Sequence, residues 1–228
     1  MKTKAIVFDW NGTLLADSIF CWRATNTVLK AFGRPPVSLA QYRQHTDVPI
    51  DKVYKSLGCD MKEILKRLDE VYRVWDGVYN AQANKARLRR GARKVLQILR
   101  KNERHTVILS NHSIDNIAGH VNRLGIRKHF AAILANDDRQ AVFRTRAKGA
   151  RLQKYMKENA LTGAIIVGDT EEEVEIARAH NFVSVAITDG ICSTKRLRAA
   201  KPDFLIDSLD EIPSIASRVF GNARKARA

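Results

Sequence analysis

AIVFDWNGTLLADS, residues 5 to 18, runs an apolar segment into Asp9 and then through Trp10, Asn11, Gly12 and Thr13. A short continuous apolar run such as KAIVFDW (4 to 10) suits a strand covered on both faces. A carboxylate that ends a buried strand is costly unless something pairs with it. What the remaining chain brings opposite Asp9 therefore decides both fold and chemistry.

Downstream the periodicity changes twice. From 18 to about 88 the pattern is helical. Ile64, Leu65, Leu68, Val71, Tyr72, Trp75, Val78 and Tyr79 fall on one stripe at helical spacing, behind an Asp60/Glu63 capping pair. GRPPVS (33 to 38) interrupts the helices, and Ser38 with Gln41 restarts one. After Gly91, helical and strand patterns alternate. A helix over 92 to 102 precedes strand HTVILS (105 to 110), and a helix from Ser113 ends near Gly125. AAILAN (131 to 136), AIIVGD (164 to 169), FVSVAI (182 to 187) and DFLID (203 to 207) are short apolar strands. The segments 148 to 158, 170 to 180, 193 to 200 and 208 to 218 separate and follow them as helices. Such alternation means crossover connections and a parallel sheet with helices on both faces. The expected class is α/β: a doubly wound parallel sheet core from 1–14 and 89–218, an all-helical cap over 15–88 inserted after strand one, and a basic tail at 219–228.

The 228 residues, 45% hydrophobic, suffice for one substantial core with a smaller satellite. No apolar run approaches the ~18 residues needed to span a bilayer, which predicts a soluble, cytoplasmic protein with no membrane partner. Cys21, Cys59 and Cys192 lie far apart and show no spacing that suits zinc or a redox couple. Charge is the unusual bulk property: 40 Lys plus Arg against 24 Asp plus Glu give a formal +16. Such a field attracts anions. Residues 85 to 105 hold nine Lys or Arg and one acid; residues 139 to 157 hold seven and no acid. The tail from Arg218 adds Arg224, Lys225 and Arg227. Without aromatic interleaving, an RNP-like pattern or zinc-finger spacing, solvated helix faces fit better than nucleic-acid recognition, which stays open as an alternative. A monomer or homodimer is expected.

In open parallel sheets ligands bind outside the carboxyl ends of the strands. The first strand ends at Asp9, the second at Ser110 and Asn111, and the fourth at Gly168, Asp169 and Thr170. Two carboxylates at one sheet edge repel unless a cation joins them, and oxygen ligands of this type suit Mg²⁺. Lys148 opens a helix just before the fourth strand. A carboxylate nucleophile, a hydroxyl donor, a lysine and a metal together make a kit for phosphoryl chemistry, which depends on positioning and charge neutralisation. Plainer roles compete: Ser110 and Ser113 suit helix N-caps, Lys148 stands in a basic segment, and Thr170 with Glu173 forms a capping box.

DWNGT, followed in order by VILSN, Lys148 and VGDTEEE, resembles the haloacid dehalogenase-like hydrolase superfamily, especially its phosphoglycolate phosphatase-like branch. The similarity covers almost the whole chain, since KPDFLIDSLDEI (201 to 212) resembles that branch's last strand and helix. The resemblance implies a Rossmann-like core with a helical cap and a small phosphorylated substrate. It implies that Asp9 is the nucleophile and forms an aspartyl-phosphate. Ser110, with Asn111 near it, would bind the transferring phosphoryl group, and Lys148 would neutralise its charge and orient Asp9. Asp9, Asp169 and the backbone carbonyl of Asn11 would hold Mg²⁺, with Glu173 on a metal-bound water.

Phosphatases of this superfamily usually carry a second aspartate where Asn11 stands, as the general acid and base. An amide donates and accepts hydrogen bonds but does not titrate. The resemblance therefore implies a phosphatase that is slow, that acts on a leaving group needing no protonation, or that recruits another acid such as His112. A phosphonatase-like hydrolase with a Schiff-base lysine at Lys52 or Lys55, a dehalogenase-like hydrolase, and a non-catalytic phospholigand-binding protein are the alternatives. His45, Thr46 and Asp47 in a cap loop, and Trp22 and Arg23 at the start of the first cap helix, are candidates to face the substrate.

Overall fold

The computed structural model describes residues 4–137 and 146–221. Residues 139–145 of the second basic stretch, and Arg224, Lys225 and Arg227 of the tail, lie outside the described residues. Strand β1 (Lys4–Phe8) is followed by five helices: α1 (Ser18–Ala31), α2 (Leu39–His45), α3 (Asp51–Ser56), α4 (Met61–Lys66) and α5 (Leu68–Ala83). Then come α6 (Ala92–Lys101), β2 (His105–Ser113), α7 (Ile114–Arg123), β3 (Ala132–Asn136), α8 (Lys148–Glu158), β4 (Gly163–Gly168), α9 (Glu171–Ala179), β5 (Val183–Ile187), α10 (Thr194–Ala199), β6 (Phe204–Ile206) and α11 (Ile212–Phe220). The strands form one parallel sheet in the order β3-β2-β1-β4-β5-β6.

Alternation along β1 builds two cores. Ile6 and Phe8 join Ile108, Ile165 and Val167 beneath Leu96 and Leu99 of α6, Val121 of α7 and Ile215 of α11. Ala5 and Val7 point the other way, to Val107, Leu109 and Ile166 beneath Leu152 of α8 and Ala177 of α9. Successive strand side chains face opposite sides of a sheet, so burial on both faces explains why these strands read as continuous apolar runs.

The chain leaves the sheet layer at Leu15 and returns at Leu88, and these two residues pair in an isolated bridge. Ala16 N donates to Arg87 O at 2.8 Å and Arg89 N to Leu14 O at 2.9 Å, so entry and exit run side by side. Between them the helices bury clusters of their own, one around Val28, Leu29, Tyr54, Ile64 and Val71, the other around Cys21, Ala24, Tyr42, Tyr79 and Ala83.

Four local expectations change. The stripe over 64 to 79 is split into α4 and α5 at Arg67, whose φ of −112° and ψ of 34° interrupt the helix. The Arg67 guanidinium grips Glu70 with two 2.8 Å bonds and lies 4.4 Å from the Phe32 ring centre, while Leu65 turns outward. Asp60 caps α4 one-sidedly, accepting from Lys62 N at 2.8 Å, rather than in a box with Glu63. Strand β2 continues three residues past Ser110, with its register against β3 broken between Leu109 and Ser113. The last helix reaches Phe220 after a 3₁₀ turn over Leu209–Glu211.

Three histidines sit in the walls of this fold. Burial holds His105, His120 and His129 below the ordinary value of 6.5, with nearby arginine charge adding to the effect at His120 and His129. At His120 geometry agrees: Arg123, which only donates, meets Nδ1 at 3.1 Å, so the ring is neutral. A group favoured neutral when folded, but free to protonate when unfolded, adds stability above its unfolded pKa. That stability is lost as pH falls from about 6.5 through the lower folded value. The raised carboxyls of the chain act in the opposite sense over the same range, so the histidine contribution is read by difference: the melting temperature of His120→Gln relative to wild type should rise as pH falls from 7.5 to 5, and a difference that does not change with pH refutes this assignment.

Candidate active site

The order of the sheet reverses direction between β1 and β4, the kind of switch point at which open α/β sheets bind ligands. Phe8 pairs with Val167, and Asp9 N donates to Val167 O at 2.8 Å, so Asp9 and Asp169 emerge from neighbouring strands. Both are buried. Thr13 Oγ1 donates to Asp169 Oδ1 at 2.8 Å and Ile191 N to Oδ2 at 2.5 Å. Glycine is needed on both sides of that carboxylate: a Cβ at Gly12, whose φ is +71°, or at Gly190 would overlap it.

Lys148 opens α8 and is only 3% exposed, so it is not a solvated lysine. Its Nζ donates to Asp9 Oδ1 at 2.6 Å and to Glu173 Oε1, and lies 3.7 Å from Glu172 Oε2. Glu173 also closes the capping box with Thr170 at the start of α9. Burial works against the Lys148 ammonium, but Asp9, Glu173 and Glu172 outweigh it and hold its pKa well above the usual value.

Four buried carboxyl groups, Asp9, Asp169, Glu172 and Glu173, thus surround one ammonium. Burial pushes the Asp9 carboxyl well up despite Lys148, and repulsion from Glu173 and Asp169 adds to the shift. Burial likewise raises Asp169 to about 6, against the opposing bond from Ile191 N. This excess of buried negative charge is what a bound cation relieves, and the all-oxygen donors match Mg²⁺. Among the described residues no three His, Cys, Asp or Glu side chains converge as a closed metal cluster. Asp9, Asp169 and the Asn11 carbonyl fit an ion that keeps several water ligands.

The broken end of β2 presents the phosphoryl-binding candidates. Ser110 is buried, and its Oγ accepts from His112 N at 3.1 Å, leaving its own O–H to donate elsewhere. Arg151 donates to Ser110 O at 2.8 Å and to Asn136 Oδ1 at 2.6 Å, and Asn136 Nδ2 donates to Asn111 O at 2.7 Å. Asn111 Nδ2 in turn donates to Glu172 Oε2 at 2.7 Å. His112 Nδ1 accepts from Ser113 N at 2.8 Å, which places the ring proton on Nε2 of a neutral imidazole.

Asn11 is clamped from behind. Its Nδ2 donates to Asp17 Oδ2 at 2.6 Å and to Tyr79 OH at 3.0 Å. Tyr79 OH donates to the same Asp17 oxygen at 2.6 Å, and Gly12 N donates to Asp17 Oδ1 at 2.8 Å. Asp17 is wholly buried; burial raises its pKa against the lowering by these donors. Arg89 fixes the same turn from outside, donating to Gly12 O at 2.6 Å and Thr188 O at 2.8 Å.

A cavity of about 220 Å³ opens above Asp9, floored by Asn11, Ser110, Asn111, His112 and Lys148 and roofed by α3 and α5 with the loop before α3. Thr46 and Asp47 line it, as expected of that loop, but His45 does not. Trp22 and Arg23 also miss it: Trp22 Nε1 donates to Val37 O at 2.8 Å and Arg23 to Gln82 at 2.7 Å. Lys52 and Lys55 are exposed on α3 and are not among the lining residues. Sequence reasoning missed Asp17, the Tyr79 hydroxyl, Glu172 and Arg151. Asp17 had a signal in its apolar setting, LLADSIF, and Arg151 in its place one turn after Lys148.

The family model described as haloacid dehalogenase-like hydrolase matches residues 6–187. A phosphoglycolate phosphatase of Synechococcus elongatus is 27% identical over 210 residues, 92% of this chain and 95% of that protein. A haloacid dehalogenase-like hydrolase from Streptococcus pneumoniae superposes with a TM-score of 0.70 at 20% identity, covering 93% of this chain and 98% of the other. The structure titled a "predicted phosphatase" from Clostridium acetobutylicum gives 0.79 at 17% identity, with 96% and 99% covered. With the Asp9 turn, Lys148 and the Asp169 loop all meeting at the β1/β4 switch point, the chain belongs to the haloacid dehalogenase-like hydrolases.

Proposed function

We propose that the chain is a Mg²⁺-dependent phosphomonoester hydrolase that acts on a small phosphorylated substrate through Asp9. The observation that carries this is the 2.6 Å contact of Asp9 with the buried Lys148 ammonium, beside Asp169 and the Ser110–Asn111 turn. A carboxylate at the phosphoryl site is a competent covalent nucleophile once it is ionised and aimed. Lys148 aims it and supplies positive charge to the transferring group. The Ser110 hydroxyl and the Asn111 backbone hold the phosphoryl oxygens. Mg²⁺, held by Asp9, Asp169 and the Asn11 carbonyl, would neutralise phosphoryl charge and keep Asp9 ionised. The helices over 15–88 act as a cap that closes the cavity from water.

The Asn11 side chain holds its place but moves no proton. Its clamp to Asp17 and Tyr79 keeps the amide from serving as more than a hydrogen-bond group, so alkoxide leaving groups depart unassisted. Loss of a general acid costs about 10²–10⁴-fold in rate. The enzyme is accordingly slow on ordinary alkyl phosphates.

Two measurements test this proposal. Asp9→Asn should lower Mg²⁺-dependent release of phosphate from 4-nitrophenyl phosphate by on the order of 10⁴-fold or more while the circular dichroism spectrum stays unchanged. Activity retained in that variant ends the assignment. A carboxyl at position 11 would meet that of Asp17 at hydrogen-bond distance, and two such groups cannot both ionise there. Asn11→Asp should therefore lower the melting temperature at neutral pH. Adding Asp17→Asn should restore it and raise turnover of alkyl phosphates by about 10²–10⁴-fold over wild type. Additive effects of the two changes would show that Asn11 and Asp17 do not act as a pair.

A further inference from the structure

We infer that the substrate's leaving group is an apolar aromatic alcohol, so that the chain hydrolyses aryl phosphates; this rests on the phosphomonoesterase proposal above. Two separate observations converge on it. One is the lining of the cavity over Asp9. Ile50, Val53, Tyr54, Val71, Tyr72 and Trp75 form its upper wall. Trp75 is held in place by stacking on Tyr79, with ring centres 4.7 Å apart, and by an edge contact to His112 at 6.3 Å. A void of about 150 Å³ accommodates benzene, so about 220 Å³ holds one substituted ring beside a phosphoryl group.

Charge in the lining points the same way. Among the described residues only Lys148 and Arg196 bring positive charge to the cavity wall. Lys148 is committed to Asp9, Glu172 and Glu173. Arg196 is committed to Glu171 and to the carbonyls of Gln44 and Thr46. Asp47, itself paired with Lys52 and Arg146, and Asp76 are the other charged side chains of the upper wall. A leaving group bearing a carboxylate, as glycolate does, would be desolvated there without a counter-ion, whereas an aromatic ring is favoured by area burial.

The second observation is the clamped amide of Asn11. A phenol has a pKa of about 10, against about 15.7 for water, so an aryloxide leaves without a proton donor where an alkoxide is held back. In the first step an Asp9 carboxylate oxygen forms its bond to phosphorus as the phosphorus–aryl oxygen bond breaks. The aryloxide departs with that electron pair and takes a proton from solvent. Water then adds to the phosphorus of the aspartyl-phosphate and passes its proton to a phosphoryl oxygen; the bond to Asp9 breaks with its electron pair on the carboxylate, which is regenerated as phosphate is released. No oxidant or second substrate is needed.

The test compares kcat/KM in Mg²⁺ for phenyl phosphate, cyclohexyl phosphate and 2-phosphoglycolate. It also measures calorimetric binding of each to the Asp9→Asn protein. Phenyl phosphate should exceed 2-phosphoglycolate at least a hundredfold in kcat/KM and bind more tightly. Phenyl and cyclohexyl phosphates should bind alike, while turnover of the phenyl ester is at least a hundredfold faster. Ile50→Arg, which places a cation in the wall, should narrow the gap between phenyl phosphate and 2-phosphoglycolate at least tenfold. Equal or better turnover of 2-phosphoglycolate by wild type overturns the inference and leaves the phosphatase proposal standing. Equal turnover of the phenyl and cyclohexyl esters overturns the aromatic assignment. Hydrolysis of none of the three, nor of 4-nitrophenyl phosphate, overturns both.

Discussion

One buried ammonium holds this molecule's chemistry in place. Lys148 enters a pocket that already contains four carboxyl groups, and its contacts with Asp9 and Glu173 join β1 to the start of α9. Burying charge is expensive, and a buried ion pair rarely improves stability over an apolar pair of the same volume. A cluster with more acid than base inside a cleft is therefore poor scaffolding. It is what a site looks like when it is poised to receive more positive charge than the chain itself supplies. The parallel order of the sheet, the glycines that flank Asp169 and the capping box at Thr170 all serve to keep that arrangement from relaxing.

The core was legible because its strands are covered on both faces, which turns each one into an unbroken apolar run bounded by polar residues. Asp9 and Asp169 stood out for the same reason: a carboxylate at the end of such a run has nowhere inexpensive to go. What stayed hidden depended on contacts between distant segments. Glu172 has no signal of its own within VGDTEEE; its role rests on Asn111 and Lys148, which reach it from distant segments. The break at Arg67 follows from a Glu70 grip and a Phe32 face, neither of which has a periodicity signature. The extension of β2 past Ser110 depends on Ser113 finding Asn136 across a register shift. Periodicity reports which side of an element is apolar, and says little about where an element ends once tertiary pairing intervenes.

Asn11 shows how an amide can be the residue that its surroundings require. Asp17 lies wholly buried and takes donors from Asn11, Tyr79 and Gly12, with the Cys21 thiol as a longer fourth. A carboxylate so placed needs donors, and an amide provides them where a second carboxylate would repel. An acid stands six residues downstream instead, behind the Asp9 turn and outside the cavity lining, where it orients the chain.

Tyr79 ties this arrangement to the inserted helices. It belongs to α5, packs in the cluster of α1 and α5, stacks on Trp75 in the cavity roof, and sends its hydroxyl to Asp17 beneath the Asn11 amide. A single side chain thereby touches the cavity wall and the pair that fixes the Asp9 turn. Movement of α5 away from the sheet would withdraw a donor from a buried carboxylate, which costs about 1–3 kcal/mol or more for a charged group. The position of the roof and the geometry of the floor are therefore energetically coupled: whatever holds α5 down through Trp75 and Tyr79 also favours the hydrogen bonds that fix Asn11 and Gly12 beside Asp9.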